Sequence, residues 1–231
     1  SFFFIGISAK ELPSFTIVFL RVGLASLLLW LGLMLVGLKM PKDKEVWKMF
    51  FSIGLVNNVM PFSLIVWGQH HITSSLASIL NATTPFFTIV LAHFLTREER
   101  ISKNRLLGLV IGFIGVSIIV GQDFVEGVGV GTWAQFAVLG AAFLYGVALV
   151  YGRKFHSMGI KPIIAATGQL TASTLVLFPI VLLADSPWAL TNPSGTTWAA
   201  IIGLGVLSTA FAFFLGVVPL SVEIEQCLTP L

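Results

Sequence analysis

The sequence contains few charged residues and a single cysteine. Asp, Glu, Lys and Arg make up 10% of its 231 residues, whereas about 25% is usual in a soluble domain. Because Cys227 is the only cysteine, an intramolecular disulfide and a cysteine-based zinc site are both excluded. The four histidines are scattered, and the adjacent pair His70 and His71 points to different helix faces. We therefore predict no metal site and no cofactor.

Catalytic sequence patterns are absent too. There is no GxSxG, no pair of carboxylates falls within an apolar run, and the glycines at 127, 129 and 131 lack the spacing of a dinucleotide-binding loop. An enzyme inside a membrane needs a nucleophile with a base, paired carboxylates or a metal. We therefore predict no catalytic residue and disfavour an intramembrane enzyme. The net charge of +3 does not indicate nucleic acid as a partner, because the basic residues lie in short loops between apolar runs.

Long apolar runs are what the chain has in abundance. It is 56% hydrophobic, with a mean hydropathy of +0.97. A helix needs about 20 apolar residues to cross the core of a bilayer, and several runs reach that length. The predicted fold class is an all-α polytopic membrane protein, with the lipid bilayer as its surroundings. The predicted spans are residues 1–9 (partial), 14–38, 46–68, 74–95, 106–121, 132–152, 163–184 and 197–218.

The distribution of Lys and Arg predicts the orientation of these spans. Eleven of the 13 basic residues fall in the loops 39–48, 97–105 and 153–161, which all lie on one side of the membrane. Cytoplasmic loops carry the excess of Lys and Arg. We therefore predict a multi-pass protein of the inner membrane with these three loops in the cytoplasm. The opposite loops hold Lys10 together with Glu11, Asp123, Glu126 and Asp185.

Arg21 lies inside a predicted span. A charge within the membrane costs a few kcal/mol and marks a candidate functional residue. Arg21 follows Ser14 by seven residues, which is about 10 Å along a helix. A long side chain can extend over that distance to the membrane surface. Both interpretations, a functional or buried arginine and a snorkelling one, are open at this stage.

Polar residues and prolines mark two of the other spans. In 74–95, five positions share one helical face, which we expect to meet protein or a cavity: Ser74, Ser78, Asn81, Pro85 and Thr88. Pro61 follows Asn57 by four residues and Pro85 follows Asn81 by four. Since proline has no N–H for the carbonyl four residues before it, each pair predicts a helix hinge with a freed carbonyl. The alternative is a kinked helix whose carbonyl is satisfied by a nearby Ser or Thr.

Three glycines in the span 106–121 indicate close helix packing. Gly108, Gly112 and Gly115 form a face of small residues, and such a face lets two membrane helices approach closely. We interpret it as packing rather than chemistry.

The chain also contains an internal repeat. Trp47, Gly54, Asn57 and Asn58 recur as Trp198, Gly205, Ser208 and Thr209 at a constant offset of 151. The predicted units are 1–121, with an incomplete first helix, and 131–218, which lacks the last two helices; 219–231 is an atypical tail. Five spans separate the starts of the units, so the two units have opposite orientations in the membrane. Inverted repeats are typical of transporters, with the site near the midplane between them.

With these features the chain resembles the EamA-type branch of the drug/metabolite transporter superfamily. Residues 2–21, FFFIGISAKELPSFTIVFLR, resemble the family's first-helix exit, Lys and Pro, then an arginine in helix two. Residues 77–99 resemble its Pro-containing helix four ending in an acidic residue, and residues 106–116 its Gly-rich helix five. The resemblance implies ten helices in two inverted five-helix repeats, here about seven to eight, that export metabolites, amino acids or drugs through a central cavity.

We therefore predict a secondary carrier with a small-molecule substrate, and a homodimer is its candidate assembly. Arg21 would attract an anionic group such as a carboxylate. The alternative is a membrane fragment or subunit that does not transport by itself. The predicted substrate-binding residues are Arg21, Asn57, Asn58, Asn81, Thr84, Gln169, Ser208 and Thr209, and the predicted hinges are Pro61 and Pro85.

Overall fold

A computed structural model describes residues 1–95, 103–126, 129–190 and 192–210, which form helices and connections without a strand. Part of the loop 97–105, the end of the span 197–218 and the tail 219–231 lie outside these ranges. Five helical segments are long and apolar enough to cross a membrane, which confirms the predicted all-α polytopic membrane fold. The helices are α1 (Phe2–Ser8), α2 (Ser14–Val36), α3 (Lys44–Gly54), α4 (Met60–Gln69), α5 (Ser74–Asn81), α6 (Thr84–Leu95), α7 (Lys103–Glu126), α8 (Val130–Ser157), α9 (Pro162–Ala184) and α10 (Gly195–Gly205).

The described residues also contain two π-helical turns. Leu55–Val59 joins α3 to α4, so that Lys44–Gln69 forms one span, and Val206–Ala210 follows α10. π-helical turns are rare in proteins, and those that occur are frequently at functional sites. Helix ends differ most from the predicted ones at α7, which begins at Lys103 and ends at Glu126, and at α8, which continues to Ser157. Arg153 and Lys154 therefore belong to the last turns of α8 rather than to a loop, as polar residues can extend a helix beyond the apolar core.

The predicted span 74–95 is broken into α5 and α6 by a turn at Ala82 and Thr83. The Thr84 hydroxyl donates to the carbonyl of Asn81 over 2.8 Å, and the Thr83 hydroxyl donates to Leu80 over 2.6 Å. The carbonyl that Pro85 leaves without an N–H is therefore satisfied by a threonine side chain. This arrangement matches the second of the two interpretations, a break stabilised by neighbouring hydroxyls.

The most buried side chains of this segment are not those of the polar stripe. Ala77, Leu80 and Thr83 are buried, whereas Pro85 is exposed and Ser78 donates to the carbonyl of Ser75 on its own helix. Small and apolar side chains pack more closely against a neighbouring helix than hydrogen-bonding ones do. The shared face of the stripe was visible in the sequence, but what that face meets was not.

The long helices α2 and α9 form the centre of the bundle and run antiparallel. The hydroxyls of Ser26 and Thr171 are 3.0 Å apart near the middle, and Trp30 Nε1 donates to the same Thr171 hydroxyl over 3.0 Å. Helix α3 packs against α9, and α10 packs against α1 and α2. A large apolar core, which includes Val18, Leu170 and Leu204, fills the space between them.

Of the three predicted packing glycines, Gly112 alone closely approaches a described neighbour. A Cβ built there would overlap the Phe86 ring of α6. Gly108 and Gly115 have no heavy atom of the described residues within 4 Å of such a Cβ. The close approach of α7 to α6 therefore depends on a single position.

We expect Gly112→Ala to lower the thermal unfolding midpoint of the detergent-solubilised protein, because overpacking costs about 1–3 kcal/mol. The matched control is Gly115→Ala, which meets no neighbour and gains up to about 1 kcal/mol of helix propensity. Equal midpoints for the two variants would show that Gly112 is not a packing contact.

Candidate substrate site between α2, α3, α9 and α10

Arg21 is buried in the bundle rather than extended to a membrane surface. Its exposed fraction is 6%, and its Nε donates to the Thr209 hydroxyl over 2.8 Å. The Thr209 hydroxyl in turn donates to the carbonyl of Leu204 over 3.0 Å. The π-helical turn after α10 therefore holds the guanidinium of α2 in one orientation, which corresponds to the buried interpretation of Arg21.

The guanidinium of Arg21 also lies against an aromatic ring. Its central carbon is 3.8 Å from the centroid of Phe62, which itself packs edge-on against Tyr145 at 6.2 Å between centroids. A cation over an aromatic face gains about 0.5–2 kcal/mol, more where water is excluded. The contact stabilises the charge but does not neutralise it.

No described carboxylate neutralises Arg21. The ion pair found among the described residues joins Lys48 and Glu45 at the surface. The only hydrogen bond from Arg21 to a described residue uses Nε, so both Nη groups lack an acceptor there. A guanidinium presents its donors as a planar fork that fits a carboxylate or a phosphate. The site can therefore accept an anionic group.

A second polar cluster lies between α3 and α9. Asn57 Nδ2 donates to Gln169 Oε1 over 3.0 Å, and Asn58 Nδ2 donates to Ser173 Oγ over 3.1 Å. Ser173 Oγ is also within 2.6 Å of the Gln169 carbonyl and 3.1 Å of the Gly54 carbonyl. Asn58 Oδ1 is buried and has no partner among the described residues. A buried acceptor without a donor costs about 1–3 kcal/mol, so a bound molecule with a donor would be favoured here.

These two clusters occupy equivalent positions in the two predicted repeat units. We call 1–121 the first half and 131–218 the second half. Arg21 is the eighth residue of the 23-residue helix α2, and Gln169 is the eighth residue of the 23-residue helix α9. Each contacts a π-helical turn of the other half, and the two turns are related by the offset of 151. Helices α3 and α10, both 11 residues long, share that offset.

The depth of both clusters follows from helix geometry. Arg21 and Gln169 each lie about 10 Å from the start of an antiparallel helix that is about 33 Å long. They therefore stand on opposite sides of the middle of the bundle, about 12 Å apart along the helix axes. The two clusters define a polar layer around the midplane.

The remaining predicted site residues are not joined to this layer by a described hydrogen bond. Thr84 donates to the carbonyl of Asn81 within their own segment, while Asn81 Oδ1 is buried and without a partner among the described residues. Ser208 is half-buried beside Thr209. Pro61 is buried two residues after the π-helical turn, where the hinge was expected. The structure thus brings together five of the eight predicted residues in two clusters.

Two members of the clusters were missed from the sequence. Ser173 follows Gln169 by four residues on the same helix face, and this spacing could have indicated it. Phe62 directly follows Pro61 and is one of 20 phenylalanines, so the sequence carried no signal for its place under the guanidinium.

A cleft of about 530 Å³ opens near the start of α2 and the end of α4. Its walls include Phe15, Ser63, Trp67, His70 and Asp185, and none of the eight predicted substrate-binding residues. Burial, and secondarily the neighbouring His71, lowers the pKa of His70, so that this side chain is neutral at pH 7. The cleft is therefore largely apolar, with polar groups at its rim.

Comparisons with known proteins identify a family and several relatives. The EamA-like transporter family matches residues 1–121. The chain is 24% identical over 210 residues to the uncharacterized transporter YoaV of Bacillus subtilis, covering 90% of this chain and 70% of that protein. It is 26% identical over 200 residues to a probable terminal-alkyne amino-acid exporter of Streptantibioticus cattleyicolor, covering 84% of this chain and 62% of that protein.

A solved structure shares the fold. A protein of known crystal structure superimposes with a TM-score of 0.63 over 92% of this chain and 74% of its own length, at 15% sequence identity. At that identity the likeness concerns the fold alone.

Proposed function

Because the chain belongs to the EamA-like transporter family, we propose that it exports small organic solutes that bind in the polar layer between its two halves. Two of its relatives are named as uncharacterized transporters. The proposal adds the direction of transport, the position of the binding site and the chemistry of the solute. It places the protein in the inner membrane with loops 39–48, 97–105 and 153–161 in the cytoplasm.

The observation that carries the proposal is the exchange of polar contacts between the halves. Arg21 of the first half bonds to Thr209 of the second, and Gln169 of the second half bonds to Asn57 of the first. In carriers built from inverted repeats, the solute binds near the midplane where the repeats meet. Polar groups at membrane depth are expensive and are retained where they line a pathway. The two clusters fit such a place.

An anionic group on the solute would complete the environment of Arg21. The guanidinium is buried, and among the described residues it has neither a carboxylate partner nor an acceptor for its Nη groups. Charge-assisted hydrogen bonds of this kind are about twice as strong as neutral ones. The buried Oδ1 of Asn58 supplies an acceptor for a donor on the same solute. An amino acid whose side chain ends in a donor carries both groups several ångströms apart, and one relative is named as a probable terminal-alkyne amino-acid exporter.

The proposal is tested by efflux from proteoliposomes that contain the full chain and are preloaded with an equimolar mixture of the 20 amino acids. Mass spectrometry of the external medium is expected to show at least one amino acid leaving faster than from protein-free liposomes. Asn58→Leu should reduce that efflux about tenfold, because it removes hydrogen bonds made to a charged group. The proposal fails if no amino acid leaves faster than from protein-free liposomes.

A further inference from the structure

Two carboxylates join the halves of the bundle at one end. One belongs to the connection between α1 and α2, and the other follows α9. Each accepts two hydrogen bonds from the N-terminal region of a helix in the opposite half. Both contacts lie outside the polar layer, and neither contributes to the proposed solute site.

The first carboxylate is that of Asp185, at the C-terminal end of α9. Asp185 Oδ2 accepts from the backbone N–H of Thr16 over 2.6 Å and from the Thr16 hydroxyl over 2.8 Å. The residue before α2 is Pro13, which offers no side-chain cap. Asp185 therefore caps α2 from the other half, where a negative charge also opposes the helix dipole favourably.

The second carboxylate is that of Glu11. Its two oxygens accept from the backbone N–H of Ser194 over 2.7 Å and from the Ser194 hydroxyl over 2.8 Å. Ser194 is the N-cap of α10, and its Oγ also accepts from the N–H of Thr197. Glu11 is thus bound to the N-cap of a helix in the other half.

Both contacts lie at the same end of the bundle. The connection between α1 and α2 and the connection between α9 and α10 meet there, because α2 and α9 are antiparallel. The distribution of basic residues predicts that this end faces outward. At the other end the halves meet through apolar side chains, with the rings of Phe50 and Phe155 5.5 Å apart. The two ends are therefore closed by different chemistry.

We propose that Glu11 and Asp185 are the outer gate of the carrier, two clasps that keep its exit side shut until a bound solute drives the halves apart. The proposal rests on the proposed function and adds its gating residues. Alternating access requires the two repeats to separate on one side at a time. Because the acceptors are charged, the hydrogen bonds of each outer contact are strengthened. Both bonds of a contact are lost together when the helix ends move apart.

The contact of Glu11 with Ser194 does not respond to pH near neutrality. The backbone N–H of Ser194, followed by its hydroxyl, lowers the pKa of the Glu11 carboxyl below its usual range. The contact with Glu11 is therefore complete above about pH 4.3 and is lost as the pH falls through the lower folded-state pKa. The other charged or titratable groups near the two clasps are Lys10, next to Glu11 in the chain, and His70, on the same cleft as Asp185.

The gate is tested by the accessibility of a cysteine in the polar layer. Ser208→Cys in a Cys227→Ser background is labelled with a membrane-impermeant cationic methanethiosulfonate applied from the outside. The double variant Glu11→Ala with Asp185→Ala is expected to raise the labelling rate about tenfold, since two charge-assisted contacts are removed. Lys10→Ala, a matched change in the same connection, should leave the rate unchanged. An equal rate in the double variant and the parent would overturn the proposal.

Two further measurements distinguish the loss of the gate from misfolding and from a failure of the proposed function. Each single alanine variant should give an intermediate labelling rate. In the Cys227→Ser background, Thr16→Cys with Asp185→Cys, bridged by a short bifunctional methanethiosulfonate, should stop amino-acid efflux until a reductant is added. Unchanged efflux in the bridged protein would contradict the gate. If the parent shows no efflux, the proposed function fails, while the labelling rates still decide the gate.

Discussion

Arg21→Met is expected to lower solute export strongly without destabilising the protein. The methionine keeps an unbranched apolar stem beside Phe62 but removes the charge and the bond to Thr209. Loss of hydrogen bonds to a charged group costs about 1.5–3 kcal/mol, which corresponds to a decrease in export of about 10- to 100-fold. Removing a buried charge that has no described carboxylate partner is neutral or stabilising. Efflux and thermal unfolding of the same preparation measure the two effects.

The combination of effects distinguishes a binding role from a structural one. Arg21→Lys keeps the charge but not the planar fork, so we expect an intermediate loss of efflux. Thr209→Val removes the acceptor that orients Nε and should lower efflux less than Arg21→Met. If Arg21→Met lowers the thermal unfolding midpoint as well as the efflux, Arg21 is a structural residue and the proposed site is wrong.

Gly54→Ala is expected to produce a large loss of stability for the addition of a single methyl group. A Cβ at Gly54 would stand 2.7 Å from the backbone carbonyl oxygen of Gln169 and 2.8 Å from Ser173 Oγ. A backbone atom of a packed helix cannot move as a side-chain tip can, so the overpacking cost of about 1–3 kcal/mol exceeds the helix-propensity gain of about 1 kcal/mol. The variant also displaces the π-helical turn that carries Asn57 and Asn58, so efflux should fall as well.

The matched control is Gly32→Ala in α2. No heavy atom of the described residues lies within 4 Å of a Cβ at that position, and the thermal unfolding midpoint should stay equal or rise. Gly205→Ala, at the equivalent position of the other half, meets Leu24 Cβ at 2.8 Å and should destabilise in the same direction. A midpoint for Gly54→Ala equal to that of Gly32→Ala would contradict the close crossing of α3 and α9.

The fold was predictable from the sequence because membrane spans depend on composition. Apolar runs of sufficient length predicted the five spans that the structure confirms, which are 14–38, 46–68, 74–95, 132–152 and 163–184. Arg21 was visible as a charge inside such a run, and the offset of 151 was visible in Gly54 and Gly205. These signals are local or repeat along the chain, so no three-dimensional information is needed to detect them.

The contacts between the halves were not predictable in the same way. The bond between Asn57 and Gln169 depends on how α3 and α9 are rotated and where they cross. The same applies to the contact of Arg21 with Thr209 and to the clasp between Thr16 and Asp185. Helical spacing shows which residues share a face, and the partner of that face is set by packing over the whole bundle. The polar stripe of 74–95 illustrates this limit, because Ser74 bonds to α1 and α4 whereas Pro85 is exposed.

The central claim, that the solute binds between the halves with its anionic group on Arg21, is tested most directly by equilibrium binding to the full chain in lipid nanodiscs. The ligands are the amino acid that leaves proteoliposomes fastest and its uncharged-carboxyl counterpart, the amino-acid amide. We expect saturable binding of the acid, binding of the amide weaker by about tenfold or more, and no difference between them in Arg21→Met. Equal affinity of the parent chain for acid and amide would contradict the account.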